Sequence, residues 1–489
     1  MRALADSESA NPLPSPFPKR EGNPKTECMS NQEIITTTPE SAVSPLEEQA
    51  YGGFASGVAL TFATRLLMLV GAIGASVIVG RWLGPEGLGV LAVLNVTVAL
   101  ALQIGSAGLP SANTYFLSQD RKRLGPAWAN TIIFAFVWGV LLLLIVVALA
   151  EIKPAVFGAV PPNLVIIAAI SIPFQLLTLL GLNVLLAMDR IGQMNLLDSM
   201  SPLLVLFNAI IVLLILHSRL SVLVTFNTAA TVVLAVWMIW MIARLLSRQR
   251  DADAFRPNAA LFLSTMKYGL KFSIPVMAAI LIFRFDLLIV NHFRGAAEAG
   301  VYAVASQTAN LLLMLPGVIG TLLFPRLASS KDQRGEFAAQ VTRHAAFVML
   351  LMCVAAAAAS FALPLIYGAR FADATVQLLI LLPGVYLVSI ESVLVQHFMG
   401  TGLPVAVPIF WLVTLAVSLG LNFALVPTLG ARGAALTSTL SYALIFALVA
   451  VYFCLKTGKT PSETFRLRGR ELRELLARAR FAPSLTKVP

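Results

Sequence analysis

The sequence predicts an all-α polytopic membrane protein with about twelve transmembrane helices arranged as two pseudo-symmetric six-helix lobes. Three observations predict it: apolar runs of bilayer-spanning length, basic residues that alternate between successive connections, and an internal repeat at an offset of 211 residues.

The apolar runs follow from composition. Of 489 residues, 58% are hydrophobic and 12% charged, and the mean hydropathy is +0.84. That is too little polar surface to coat a water-soluble domain. Spanning the hydrocarbon core takes roughly 20 apolar residues in a helix, because only helices and closed barrels satisfy every backbone polar group away from water. Runs of that length lie near residues 57–80, 89–111, 127–150, 163–187, 195–216, 221–245, 272–293, 300–324, 342–366, 375–399, 405–427 and 433–455.

Charge then orients the spans. Alternate connections and the C-terminal tail hold 23 Lys and Arg, whereas the opposite connections hold only Arg81, Lys153, Arg219, Arg294, Arg370 and Arg432. By the positive-inside rule the basic side is the cytoplasm, and an even number of spans puts both termini there. The net charge of +11 thus reads as a topology signal and not as a nucleic-acid surface. The expectation is a multi-pass membrane protein with membrane lipids as surroundings.

The repeat divides the spans. GPEGLGVLAVLNVT from Gly84 lies over GAAEAGVYAVASQT from Gly295, pairing Gly89 with Gly300 and Thr97 with Thr308. Gly192 likewise falls near Gly402. A parallel repeat of this kind implies two halves related by an axis along the membrane normal, with a path between them. The expected organisation is a disordered tail (1–50), an N-lobe of helices 1–6 (51–250), a polar linker (251–267), a C-lobe of helices 7–12 (268–455) and a basic tail (456–489). The first fifty residues contain no signal-peptide pattern, and Met29 is an alternative start. In the C-terminal tail Thr460, Pro461 and Glu463 form a capping-box pattern. It opens either an amphipathic helix on anionic headgroups or a solvated tail.

Charges inside spans are the candidate functional residues. At mid-depth each costs roughly 2.5 to 3.5 kcal/mol on insertion scales. Arg284 lies about 12 residues into its span, roughly 18 Å from the cytoplasmic edge. Asp286 is two positions on and so on a different face. The pair therefore either locks an interhelical contact or places a charge in a hydrophilic cavity. Arg65 and Glu391 are close enough to the basic ends of their spans to snorkel. Asp198, in the first turn of its span, is explained by the helix dipole. Gln103, Gln175, Asn183, Asn208, Gln307 and Asn310 serve as interhelical glue or cavity lining, Pro173, Pro202, Pro275, Pro316 and Pro383 as kinks, and His397 is a weaker proton-relay candidate. Cys28, Cys353 and Cys454 are too scattered for a disulfide framework or metal site. No nucleotide-binding loop or nucleophile elbow occurs, so neither a cofactor nor an enzymatic activity is expected.

At RWLGPEGLGVLAV from Arg81, RFDLLIVNHFRGAAEAGVYAVASQ from Arg284 and LNFALVPTLGARGAALTSTLSYA from Leu421, the chain resembles the polysaccharide flippases of the MOP (multidrug, oligosaccharidyl-lipid and polysaccharide) exporter superfamily. The resemblance implies a MATE-like, two-lobed transporter that carries an undecaprenyl-pyrophosphate-linked oligosaccharide from the cytoplasmic to the periplasmic leaflet. Polysaccharide polymerase and export machinery would be further partners. It also implies that basic cavity residues hold the pyrophosphate, a role that Arg65 and Arg284 match by type and span. Asp286, Glu391, Gln307 and Asn310 would serve coupling or line the cavity. The rival expectations are a drug or metabolite antiporter of the same fold and a membrane glycan polymerase or ligase. The latter is disfavoured because the longest outer connection is only about a dozen residues, around Glu151 to Asn163.

Overall fold

The computed structural model describes residues 45–249, 253–314, 335–401, 404–466 and 471, with side chains from residue 63 onward. Pro316 and most of the basic tail lie outside these residues, as does nearly all of the N-terminal tail. Two units separate at residue 54, Met1–Phe54 and Ala55–Pro489. In the first, the described residues are the start of a helix; all the remaining elements belong to the second.

Fourteen α-helices are described. The N-terminal half contains α1 (Pro45–Ser106), α2 (Leu109–Gln119), α3 (Leu124–Ile152), α4 (Pro162–Ala169), α5 (Ser171–Ala187), α6 (Ile191–Ala209) and α7 (Leu220–Arg248). The C-terminal half contains α8 (Ala259–Arg294), α9 (Ala296–Leu312), α10 (Glu336–Ser360), α11 (Leu363–Tyr367), α12 (Asp373–Thr401), α13 (Ala406–Thr457) and α14 (Pro461–Phe465). Among the described residues nine stretches are long and apolar enough to cross a membrane. Two of them, Ala63–Ser106 and Ala406–Thr457, have 44 and 52 residues. At 1.5 Å per residue each is at least twice the roughly 30 Å hydrocarbon thickness. Each is broken by one glycine with positive φ, Gly84 (φ 71°) and Gly430 (φ 61°), and supplies two crossings. With α9 as the remaining one, the crossings number twelve.

The connections gather at two opposite ends. At one end, rich in Lys and Arg, Arg121 pairs with Asp189. There Gln249 donates to the Arg121 carbonyl, the Asp253 amide donates to the Lys122 carbonyl, and Asn130 donates to the Asn258 carbonyl. At the other, the short-loop end, Glu298 accepts from Arg294 Nε and from the Ala431 amide, beside the Gly430 break. The alternation expected from the charges is thus realised in space. One boundary differs: α8 begins at Ala259, within the stretch read as linker. Asn258 supplies the reason, since its side chain accepts from the Leu261 amide as an N-cap.

The repeat is expressed as backbone geometry. Gly84 (φ 71°, ψ −172°) and Gly295 (φ 86°, ψ 172°) adopt the same conformation, which favours glycine. One turn on, the two repeat members meet. A Cβ on Gly89 would lie 1.7 Å from the Ala296 carbonyl oxygen, and one on Gly300 would lie 1.9 Å from the Pro85 carbonyl oxygen. Pro85 and Ala296 are themselves 211 residues apart, so the crossing is reciprocal. In lipid, where apolar burial no longer drives helices together, such close backbone approach is a principal source of packing energy.

The short-loop end carries a second reciprocal contact. Arg81 donates through Nε to the Ile366 carbonyl at 2.6 Å and through Nη2 to the Leu365 carbonyl at 2.7 Å. At the position 211 residues later, His292 Nδ1 meets the Ala155 carbonyl, and since a carbonyl only accepts, that nitrogen carries the proton. Asn291 adds a 2.6 Å bond to the Phe157 carbonyl. Each half thus grips the opposite half's loop.

The capping box at Thr460 forms, with Glu463 reaching back to the Thr460 amide. The helix stops at Phe465, and the segment docks on protein. Phe465 packs against Phe446, while Arg343 of α10 donates to the Glu463 carbonyl and pairs with Glu471 at 2.6 Å.

Two outcomes follow from these contacts. Gly89→Leu forces the crossing apart and lowers stability by about 1 to 3 kcal/mol as an overpacked contact does. Gly192→Leu, whose Cβ meets nothing within 4 Å, leaves the melting temperature in detergent unchanged. Arg81→Ala frees the Leu365 and Ile366 carbonyls and shifts the population toward opening at the short-loop end. The readout is the rate of maleimide labelling at Ser76→Cys, which rises several-fold over the same cysteine in an otherwise native chain.

Candidate functional site

The buried core divides differently at the two ends of the protein. One apolar cluster runs through the short-loop half of the N-terminal helices and continues into the C-terminal helices. The other fills the basic half of the N-terminal helices, and only Leu261 and Met266 of α8 reach it from the C-terminal half. The lobes are fused at the short-loop end and separate toward the basic end, with α8 touching both.

Arg284 stands on α8, the helix that touches both lobes. Asn291, seven residues on and nearly in line on the helix surface, bonds the N-lobe loop at Phe157. Gly269, fifteen residues back and about 60° around, lies against Gly108. The face that carries Arg284 therefore meets the N-lobe at both ends, and Arg284 faces the N-lobe between the two contacts. Its side chain is exposed, and among the described residues it has no hydrogen-bond or ion-pair partner.

Asp286 is turned the other way. It is 3% exposed and accepts from Tyr302 of α9, from Ser438 of α13 at 3.0 Å and from the Leu287 amide at 2.7 Å. These bonds tie three helices of the C-lobe together. The two neighbouring charges thus differ: Asp286 is a buried hydrogen-bond hub, while Arg284 is exposed. They do not pair.

Arg65 is not beside Arg284. Arg81 and His292 share a level through the clasp, and Arg65 lies sixteen helical residues before Arg81, about 24 Å. Arg284 lies eight before His292, about 12 Å. The two guanidinium groups are therefore stationed at successive depths. Arg65 does not snorkel unaccompanied, since its Nη1 is 3.3 Å from the Asp198 carboxylate. Asp198 sits in the third turn of α6, too far along for the helix dipole that the sequence pointed to, because the helix starts at Ile191 and not at residue 195.

Glu391 is likewise no snorkeller. It is 2% exposed in the middle of α12, and its Oε1 has no hydrogen-bond partner among the described residues. His397 is buried against Phe398 and Phe453.

Gln307 and Asn310 are half-buried and one turn apart on α9. With Ser306 they make a polar stripe opposite the buried Val304, Ala305 and Ala309. A polar stripe of this kind is unfavourable against lipid tails. Asn95 on α1 is its counterpart, exposed and 211 residues before Ser306, with Thr97 and Thr308 repeating the same bond to the carbonyl four residues back. Asn95 escaped the search for polar residues within spans, although the repeat alignment already placed it over Ser306. Of the other amides, Asn208 bonds Asn227 between helices, as interhelical glue does, whereas the side chains of Gln175 and Asn183 bond back within α5. Among the described residues no cluster of His, Cys, Asp and Glu is arranged to hold a metal.

The fold has solved counterparts. A multidrug resistance MATE family transporter of the MOP superfamily in an inward-facing conformation matches with a TM-score of 0.67 at 14% identity, over 80% of this chain and 96% of that one. The lipid II flippase MurJ in an inward closed conformation matches with a TM-score of 0.68 at 13% identity, over 88% and 93%. The same comparison with an outward-facing MATE transporter gives 0.56 at 15% identity, over 83% and 94%. At such identities these likenesses establish the fold, a MATE-like arrangement of membrane helices. Curated proteins give no match. Residues 78–376 match the family described as polysaccharide biosynthesis protein. That stretch covers more than half of the chain and includes the Gly89–Gly300 crossing, the clasp and Arg284, so the chain belongs to the polysaccharide biosynthesis protein family.

Proposed function

We propose that the protein is a flippase that carries an undecaprenyl-pyrophosphate-linked oligosaccharide from the cytoplasmic to the periplasmic leaflet of a bacterial inner membrane by alternating access, for surface polysaccharide such as lipopolysaccharide or exopolysaccharide. The observation that carries this reading is Arg284, an exposed guanidinium on α8 with no hydrogen-bond or ion-pair partner among the described residues. Asp286 is near enough to act on it electrostatically but gives its carboxyl oxygens to Tyr302, Ser438 and Leu287, so the hydrogen bonds of the guanidinium stay open to an anionic visitor. Guanidinium suits a diphosphate, giving bidentate charge-assisted bonds and staying charged when desolvated.

In this reading the basic end and both termini are cytoplasmic. The pyrophosphate meets Arg65 first and Arg284 next, and the polyprenyl chain stays in lipid. Asn95, Ser306, Gln307 and Asn310 provide uncharged hydrogen-bonding surface for the sugar or the water that accompanies it. The clasp at Arg81 and His292 must part to release the glycan, and the Gly89–Gly300 crossing serves as the pivot. No bond is made or broken, so the protein is a transporter and not an enzyme. Polymerase and export machinery would take the product. Family membership favours a glycan cargo over the drug cargo of a MATE antiporter, which would share the fold but has no need of two guanidinium stations.

Asp286 and Glu391 are proposed to couple transport to an ion or proton. Glu391 is the stronger of the two, since one carboxyl oxygen has no partner, whereas Asp286 is already satisfied by Tyr302 and Ser438.

Arg284→Ala in the full-length protein should weaken binding of a polyprenyl diphosphate by about tenfold or more, the loss expected for a hydrogen bond to a charged group. It should also abolish flipping of a labelled lipid-linked oligosaccharide in proteoliposomes at undiminished membrane level; unaltered flipping would reject the role. Glu391→Gln should leave that binding intact and make flipping indifferent to an imposed ion gradient. Transport that still follows the gradient would exclude Glu391 from coupling.

A further inference from the structure

The lower guanidinium differs from the upper in having a companion. Arg65 Nη1 lies 3.3 Å from Asp198 Oδ2, with the two side chains 49% and 24% exposed. The pair is held in register by packing. A Cβ on Gly71 would stand 3.1 Å from the Pro202 carbonyl oxygen, and one on Gly74 would stand 3.1 Å from Leu206. The offsets of 131 and 132 residues at these contacts are almost that of 133 between Arg65 and Asp198, so α1 and α6 run alongside each other through all three. The carboxylate is therefore delivered to Arg65 by the backbone and does not arrive by the chance of a long side chain.

A permanent counter-charge on a substrate-binding guanidinium weakens it for every anion, and that needs a reason. The surroundings supply one. Arg65 is half exposed near the basic end of the bilayer, within reach of phospholipid headgroups, and a bare guanidinium there would be occupied by whichever anionic lipid is most abundant. Displacing Asp198 is a fixed cost that lowers the affinity of singly and multiply charged phosphates alike. The occupancy lost is that of the weaker binder, the singly charged headgroup. A diphosphate brings more charge and more acceptor oxygens, and it still displaces the carboxylate. The cost is modest for a pair this exposed, so the gate opens readily.

We propose that Asp198 governs the occupancy of Arg65: its carboxylate holds the guanidinium while the path is empty, keeps singly charged phospholipid headgroups from filling it, and yields it to a lipid-linked diphosphate. This rests on the reading of Arg65 as a diphosphate station.

The test is binding of a fluorescent polyprenyl diphosphate to the full-length protein in nanodiscs of phosphatidylcholine, with and without phosphatidylglycerol as a major component. In the neutral discs Asp198→Asn binds the probe about two- to fivefold tighter than the native chain, the equivalent of losing an exposed ion pair. With phosphatidylglycerol present, the native affinity falls by about three- to fivefold, while that of Asp198→Asn falls by about tenfold as the headgroup takes the site. Asp198→Glu restores the native response. A purely structural role for Asp198 would lower binding equally in both lipids. Equal dependence on phosphatidylglycerol in the native chain and Asp198→Asn overturns the inference. Arg65→Ala and Arg284→Ala separate this failure from that of the flippase reading. If both bind the probe like the native chain, diphosphate recognition itself is wrong. If they lose binding while Asp198→Asn keeps the native lipid response, only the role of Asp198 falls.

Discussion

The reciprocal crossing of Gly89 and Gly300 is the contact on which the rest of the structure depends. Each glycine admits the carbonyl of the opposite half to a distance no side chain would permit, and the two carbonyls belong to Pro85 and Ala296, the equivalent residues of the repeat. A pseudo-twofold axis therefore passes between them. Because lipid offers no hydrophobic force to press helices together, the energy of this junction has to come from close packing. A contact confined to one turn of each helix can also act as a hinge, which a long leucine-rich seam would not.

Around that point the remaining features order themselves by distance. Immediately beside it the clasp of Arg81 on Leu365 and Ile366 is mirrored by His292 and Asn291 on Ala155 and Phe157, closing the short-loop end. About 12 Å further in stands Arg284, and about 12 Å beyond it Arg65 with Asp198. The buried core follows the same gradient, continuous between lobes near the crossing and divided at the basic end. On the proposed function, Arg284 and Arg65 would serve as two successive stations for an anionic headgroup.

The charges that lipid makes expensive are treated in four different ways. Asp286 is satisfied by hydrogen bonds from Tyr302 and Ser438 and so ties helices of the C-lobe together. Arg65 is neutralised by a carboxylate, and Arg343 is drawn to the docked C-terminal segment at Glu471. Arg284 is exposed with no hydrogen-bond or ion-pair partner among the described residues, and Glu391 is sealed in a lobe with its Oε1 unpartnered there. Buried polar groups that cost this much are retained for function far more readily than for stability.

The sequence by itself determined the number of crossings, the alternation of connections between two ends and the duplication, because apolar length, loop charge and glycine position are local quantities summed along the chain. It also picked out Arg65, Arg284, Asp286 and Glu391, since any ionised residue in an apolar run announces its cost. Which of these charges faces a path and which is locked in packing was decided only by tertiary structure. Helical phase shows that Arg284 and Asp286 point apart, but not which neighbour each meets, and that depends on α9 and α13 on one side and on the N-lobe on the other. The partnership of Arg65 with Asp198 joins residues 133 apart through a glycine contact that no local pattern encodes. The burial of Glu391, placed where a carboxylate might have snorkelled, is set by the helices that surround it and not by its depth along its own.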